Sequence, residues 1–349
     1  MPTMRSARLL APNDLRILDV PLPELGPHEV LCRVARCGIC GTDHAIFTGE
    51  FSGVKSGIVH FPMTLGHEWS GTVAVLGPQA TRFAVGDRVV GDTGVSCGHC
   101  TECLLGQYGN CAEGRAVGTI NAWDGAYAEY IVMPERHLFP LPENVSPEAG
   151  AMVEPAATAL YAVVRAEVRT GDTVLVNGTG PIGLCAAKLA QLSGASRVIV
   201  AGRRESKLRL ALAFGADAVI DTTQGPMLEA VHAEVGRGGA DKIIEASGAV
   251  QLFAESLRCV RPGGVVSVVA FYEKPLPEFD IDQFVFTNAT LHAVAGSLGQ
   301  YPPVLKLMAA GKLDPTTLIT ARYPFEDVLQ GLRDWGDKPQ ERVKSMLVM

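Results

Sequence analysis

Thr173-Val174-Leu175-Val176-Asn177 runs directly into Gly178-Thr179-Gly180-Pro181-Ile182-Gly183, a short apolar strand followed at once by a glycine-rich turn. Beyond the turn, Ile182, Cys185, Ala186, Leu189 and Ala190 recur with the spacing of one helical face, the pattern of a helix packed on a sheet. Arg197-Val198-Ile199-Val200 then supplies a second strand and completes a βαβ unit. In such a unit the first glycine permits the tight turn, the second lets backbone approach a pyrophosphate, and the third allows close helix packing. The helix N-terminus faces the phosphate charge. Pro181 costs little in the first turn, where its missing N–H has no intrahelical partner. Gly178, Gly180, Pro181, Ile182 and Gly183 are therefore expected to bind a dinucleotide.

Further apolar runs follow at Ala218-Val219-Ile220-Asp221, Lys242-Ile243-Ile244-Glu245 and Val265-Val266-Ser267-Val268-Val269, most of them separated by helical stretches. Strands alternating with helices imply right-handed crossovers and a parallel sheet buried on both faces. Upstream, residues 1 to about 155 read as short strands broken by Gly and Pro, as in Glu29-Val30-Leu31-Cys32-Arg33-Val34 and Gly71-Thr72-Val73-Ala74-Val75-Leu76. After about residue 291 the pattern mixes again, so the tail is expected to rejoin the first domain. The fold class is α/β, with a β-rich domain at 1–155, a doubly wound dinucleotide-binding domain at 156–291 and a return segment at 292–349. A chain of 349 residues exceeds what one hydrophobic core usually serves.

Composition narrows the function. Hydrophobic residues make up 47% and charged residues 19%, an ordinary globular balance, and the formal net charge is −7 with Lys and Arg scattered. No basic footprint for nucleic acid or anionic lipid is present. No uncharged apolar run approaches the roughly 18 residues a spanning helix needs, and residues 1–14 carry Arg5, Arg8 and Asp14 without an apolar core of leader length. A cytoplasmic protein with no membrane partner is expected. Nine cysteines in that setting favour metal binding over disulfides. Cys32, Cys185 and Cys259 lie in apolar patterns and read as core.

Four of the nine crowd together as Cys97-x2-Cys100-x2-Cys103-x7-Cys111. Four thiolates on a short loop suit tetrahedral zinc in a closed, structural site. His99 lies inside the loop, but the shell is already full. The separate Cys40 and Gly66-His67-Glu68 indicate a second, chemically open metal site.

At the end of the second strand of the βαβ unit, an NAD site usually presents a carboxylate to the ribose 2′-hydroxyl. Here the sequence is Ala201-Gly202-Arg203-Arg204-Glu205. Gly202 removes the carboxylate, and Arg203 and Arg204 can accommodate a 2′-phosphate, so NADP is favoured over NAD. In the alternative, both arginines are solvated charges at a helix start and Glu205 takes the ribose role.

In order, Gly38-Ile39-Cys40-Gly41-Thr42-Asp43, Gly66-His67-Glu68, the four-cysteine loop, Val153-Glu154-Pro155 and the glycine turn resemble the zinc-dependent medium-chain alcohol dehydrogenases over nearly the whole chain. The polyol, sugar and threonine dehydrogenase branch is the nearest. The resemblance implies a GroES-like β-rich catalytic domain and a Rossmann coenzyme domain, with the active site in the cleft between them. It implies two Zn²⁺ per chain, one structural at Cys97, Cys100, Cys103 and Cys111 and one catalytic, with Cys40 and His67 as ligands of the catalytic ion. Glu68 is a direct or exchangeable ligand, and Glu154 stands where classical liver-type enzymes have cysteine. The substrate is then a small alcohol, polyol or sugar whose secondary hydroxyl becomes a ketone. Zinc lowers the pKa of a bound hydroxyl from near 16 toward roughly 7, and the alkoxide passes hydride to the nicotinamide. Thr42 matches the position that contacts the substrate oxygen. The family's relay histidine comes five residues after the cysteine ligand, where this chain has Ala45; His44 comes four after.

Gly125-Ala126-Tyr127-Ala128-Glu129-Tyr130 resembles a structural strand motif, with Trp123 read as packing before cleft lining. Ser247 and Ala270 end later strands on the ligand-binding side of such sheets and are expected beside the nicotinamide. Phe279 to Val294 reads as two strand-like stretches which, by the resemblance, pair across a dimer axis, so a homodimer or homotetramer is expected. Two other readings stand beside this one: an NAD-dependent, threonine-type 2-amino-alcohol dehydrogenase, and a non-catalytic zinc-binding module that keeps the fold.

Overall fold

The computed structural model describes residues 2–276, 280–337 and 342–349. The chain divides into two compact units, Met1–Glu154 with Leu298–Met349, and Pro155–Ser297. The tail rejoins the first unit from residue 298.

In the first unit, the strand Glu29–Ile39 pairs antiparallel with Glu68–Leu76 on one side and with the C-terminal strand Lys344–Val348 on the other. The sheet continues through Arg88–Gly91 and Leu138–Pro140 at one end and Ile319–Pro324 at the other. A separate three-stranded sheet joins Asp14–Pro21, Thr3–Ala11 and Met63–Thr64. Trp69, Tyr127, Leu65 and Met133 are buried between these layers. The register sets Gly38 opposite Glu68, and Ile39 opposite Ser345. The residues entering Cys40, Glu68 and Lys344 are thereby neighbours on three strands that are remote in sequence.

The second unit is a six-stranded parallel sheet in the order Ala218–Asp221, Arg197–Gly202, Thr173–Asn177, Ala240–Glu245, Val260–Val268, Thr290–Ala293. This is the 3-2-1-4-5-6 order of a Rossmann-type sheet. Val174 to Asn177 and Val198 to Ala201 are fully buried, as a sheet covered on both faces requires. The helix Pro181–Leu192 buries Cys185, Ala186, Leu189 and Ala190 of its expected stripe and Leu184 and Ala187 as well, while Ile182 is only partly covered.

Two stretches differ from the sequence reading. Between Phe279 and Val294 there is one strand, Thr290–Ala293, preceded by the helix Ile281–Thr287; Phe279 itself lies outside the described residues. The Asp280 carboxylate accepts from the backbone N–H groups of Asp282 and Gln283, and such a cap turns a short apolar run into a helix start. The strand expected from Gly125 begins only at Tyr130. The residues before it brace a loop instead: Ala126 N–H donates to the Gly66 carbonyl at 2.7 Å, and Tyr127 N–H to that of Leu65 at 2.9 Å. Trp123 donates from Nε1 to the Val132 carbonyl at 3.1 Å, a packing role.

Candidate active site

Cys40 ends the strand Glu29–Ile39 and caps the helix Gly41–Thr48. Its backbone N–H donates to Asp43 Oδ2 at 2.8 Å, which fixes the turn. Asp43 is wholly buried and also receives Tyr127 Oη at 2.9 Å and Gly66 N–H at 3.2 Å. Its Oδ1 lies 3.4 Å from His67 Nδ1. A carboxylate on the far nitrogen of a metal-binding imidazole sets its tautomer and orientation. Asp43 belongs to the quoted Cys40 motif, yet sequence reasoning gave it no role; an acid three residues past a helix cap was the available signal.

The Cys40 thiol, a His67 ring nitrogen and a Glu68 carboxylate oxygen all lie within 4.8 Å of one another, with His67 and Glu68 buried. Burial disfavours a charge on His67, yet the Asp43 carboxylate and Cys40 outweigh it and raise the imidazole pKa well above its ordinary value. The carboxylate and thiol beside His67 thus favour positive charge at that ring, while Lys344 offsets the charge of Glu68. Glu68 forms an ion pair with Lys344, and both side chains are almost fully enclosed. Lys344 escaped the sequence reading altogether, since nothing local marks a lysine that opens the last strand as the partner of a glutamate at the start of Glu68–Leu76.

Glu154 lies outside the group formed by Cys40, His67 and Glu68, in the first turn of the helix Val153–Arg165. It accepts from Thr93 Oγ1 at 3.1 Å. Burial pushes its carboxyl up to about 7, against the opposing pull of His67. Thr42 is half-buried in the first turn of the Cys40 helix. His44 is committed elsewhere: its Nδ1 meets the Leu332 carbonyl at 3.0 Å and its ring stacks on Trp335 at 4.9 Å.

The thiols of Cys97, Cys100, Cys103 and Cys111 also lie within 4.8 Å of one another, each half-exposed. Cys97 and Cys103 sulfurs are 3.8 Å apart, and a tetrahedron with zinc–sulfur arms of about 2.3 Å has edges of about 3.8 Å. Backbone N–H groups of Cys100 and Cys97 point at the sulfurs of Cys97 and Cys111, at 3.4 and 3.5 Å. Such donors favour thiolates. His99 is exposed at the rim, where Cys97, His99 and Glu113 form a looser group.

In the second unit, Gly178 has φ +123°, and a Cβ on Gly183 would fall 2.1 Å from the Gly178 carbonyl oxygen. Only glycine serves at either place. A Cβ on Gly180 would meet nothing within 4 Å, leaving open space before the N-terminus of the helix Pro181–Leu192; Pro181 and Ile182 form the first turn. A pyrophosphate fits that cradle. Gly202 ends its strand, Arg203 is exposed, and Arg204 caps the helix Glu205–Phe214. Glu205 is ion-paired with Arg209 one turn on, a pairing readable from the i, i+4 spacing. Ser247 Oγ is held on the Glu245 carboxylate at 2.5 Å, and Ala270 lies just past the strand Val260–Val268.

Residues 26–143 match the Alcohol dehydrogenase GroES-like domain, and residues 181–310 the Zinc-binding dehydrogenase family. The chain is 33% identical to the sorbitol dehydrogenase of Halalkalibacterium halodurans over 94% of this chain and 92% of that protein. It is 32% identical to the L-threonine 3-dehydrogenase of Rhizobium etli over 90% of this chain and 89% of that one. A Sinorhizobium meliloti protein described as a zinc-binding dehydrogenase and solved with NADP bound superposes with a TM-score of 0.91, at 31% identity and full coverage of both chains. Fold and relatives together define a class, the NAD(P)-dependent oxidoreductases that join a GroES-like domain to a Rossmann-type sheet. Within it, the chain belongs to the zinc-dependent medium-chain alcohol dehydrogenase family, in the polyol branch. Among the described residues, no helix is long and apolar enough to cross a membrane.

Proposed function

We propose that the protein reversibly oxidises a secondary hydroxyl of a polyol, sugar or related compound to a ketone, with NADP as preferred coenzyme. The observation that carries this reading is the convergence of Cys40, His67 and Glu68 on one buried point. Zinc held there by Cys40 and His67, with Glu68 or Glu154 as third or exchangeable ligand, supplies Lewis acidity toward the substrate hydroxyl. The Asp43 carboxylate, 3.4 Å from His67 Nδ1, favours the proton on that nitrogen and leaves Nε2 for the metal. Lys344 offsets the charge of Glu68. Glu154, near neutrality, can take or return a proton at Oε1 through the Thr93 hydroxyl. Thr42 orients the substrate oxygen. The four-cysteine loop holds the second, structural zinc.

The NADP preference rests on Gly202, Arg203 and Arg204, and gains support from the engagement of Glu205 with Arg209. The NADP-bound relative supports it as well. Nine cysteines, with no disulfide among the described residues, suit a reducing cytoplasm. A homodimer or homotetramer is supported by Ile281, Val285 and Phe286, exposed apolar side chains on the helix before the edge strand Thr290–Ala293. Similarity to a threonine dehydrogenase keeps one rival substrate class, 2-amino alcohols.

A panel of sugars, polyols and L-threonine against both coenzymes tests the reading. The expected result is a kcat/KM at least about tenfold higher with NADP on a polyol or sugar, reduced in R203A/R204A. A tenfold preference for NAD, or turnover of threonine alone, contradicts it.

A further inference from the structure

We propose that Glu245 is a buried anion that tightens binding of the oxidised coenzyme relative to the reduced one; this rests on the reading that a nicotinamide coenzyme binds at Gly178–Gly183. Glu245 closes the strand Ala240–Glu245 and has no solvent exposure. Both of its oxygens face neutral donors. Oε1 accepts from Ser247 N–H at 2.8 Å and Ser247 Oγ at 2.5 Å; Oε2 accepts from Asn177 Nδ2 at 2.5 Å and Ser256 Oγ at 3.0 Å. Ser247 N–H, Ser247 Oγ and Asn177 Nδ2 all donate to it, and Ser256 Oγ divides its single proton between Glu245 and the Leu252 carbonyl at 2.8 Å; incoming donors on both oxygens match an ionised carboxylate, which only accepts.

No cation among the described residues pairs with Glu245, in contrast to Glu68 with its Lys344. A buried charge without a counter-ion is costly, so its presence at a binding edge points to a cation that arrives with the ligand. The oxidised nicotinamide ring carries a positive charge and the reduced ring carries none. Position puts Glu245 at the edge that the coenzyme crosses. Asn177 and Glu245 are register partners on the two strands where the sheet order reverses, the place where dinucleotides cross the C-terminal strand ends. The Ala246 carbonyl oxygen abuts the glycine turn, 2.7 Å from where a Cβ on Gly178 would sit.

Glu245→Gln keeps the shape and removes the charge. Asn177 Oδ1 has no partner at present, so an amide flip at Asn177 lets it accept from the new Gln NH2. Binding titrations of NADP⁺ and NADPH to the full chain, at one ionic strength, read the outcome. E245Q is expected to weaken NADP⁺ about tenfold more than NADPH, about 1.4 kcal/mol. Glu245→Met, neutral and of like volume, gives a second charge-free reading should E245Q fold poorly. Ser256→Ala removes one donor and keeps the charge, so both coenzymes should shift together. Equal shifts for the two redox forms in the charge-free variants, or a ratio change in S256A as large as theirs, overturn the proposal. Wild-type protein that binds neither form overturns this proposal and the functional reading together.

Discussion

The two candidate metal sites use the same element class in opposite settings. The four-cysteine lobe takes its donors from one short stretch, leaves them half-exposed and surrounds them with backbone N–H groups. The Cys40 centre draws on remote strands, buries His67 and Glu68 beside a half-buried Cys40, mixes thiol, imidazole and carboxylate, and already contains a cation in Lys344. A closed site needs only local geometry. An open one needs the whole sheet, because its donors and the groups that orient and balance them, Asp43 at His67 and Lys344 at Glu68, come from separate strands and turns.

The sharpest way to separate the two is His67→Ala. It should lower kcat by about 10³-fold or more, since several kcal/mol of Lewis-acid stabilisation are lost, while near-ultraviolet circular dichroism stays native. Turnover within tenfold of wild type would place the chemistry elsewhere. Next comes Lys344→Met, which leaves Glu68 buried without its partner. In metal-free protein about 3 kcal/mol of stability should be lost to urea unfolding; a change under about 1 kcal/mol would mean the ion pair contributes nothing net.

The lobe has its own buried anchor in His137, whose Nε2 accepts from Ser96 N–H at 3.0 Å, next to Cys97. Burial pushes this imidazole from 6.5 down to about 4, with Arg136 adding to the shift. Between those values the unfolded chain takes up a proton that the folded chain refuses, so the contribution is full above pH 6.5 and falls as pH drops toward 4. The loss amounts to about 3 kcal/mol. A pH series of urea midpoints should show a shallower acid limb in His137→Gln, and an unchanged limb would remove the assignment.

The same contrast explains what was legible in the sequence. The glycine turn, the strand–helix alternation and the four-cysteine spacing are local patterns, and the strand order and sulfur cluster agree with them. Cys40, His67 and Glu68 stood out as an open metal site, their ligand roles came through resemblance, and the fold brings them together. Lys344 was invisible, because its partner is set by strand register between distant segments. The helix Ile281–Thr287 was misread as strand because short apolar runs are ambiguous by period alone, and the Asp280 cap that decides the matter was overlooked. Glu205 with Arg209 was readable from spacing and went unused.

The proposal of one closed and one open zinc site stands or falls on metal analysis of protein purified without chelator, on wild type and on Cys40→Ser. Two zinc ions per wild-type chain and one in Cys40→Ser are expected, with the remaining ion still bound by the four cysteines. One ion in the wild type, or two retained in the variant, would contradict it.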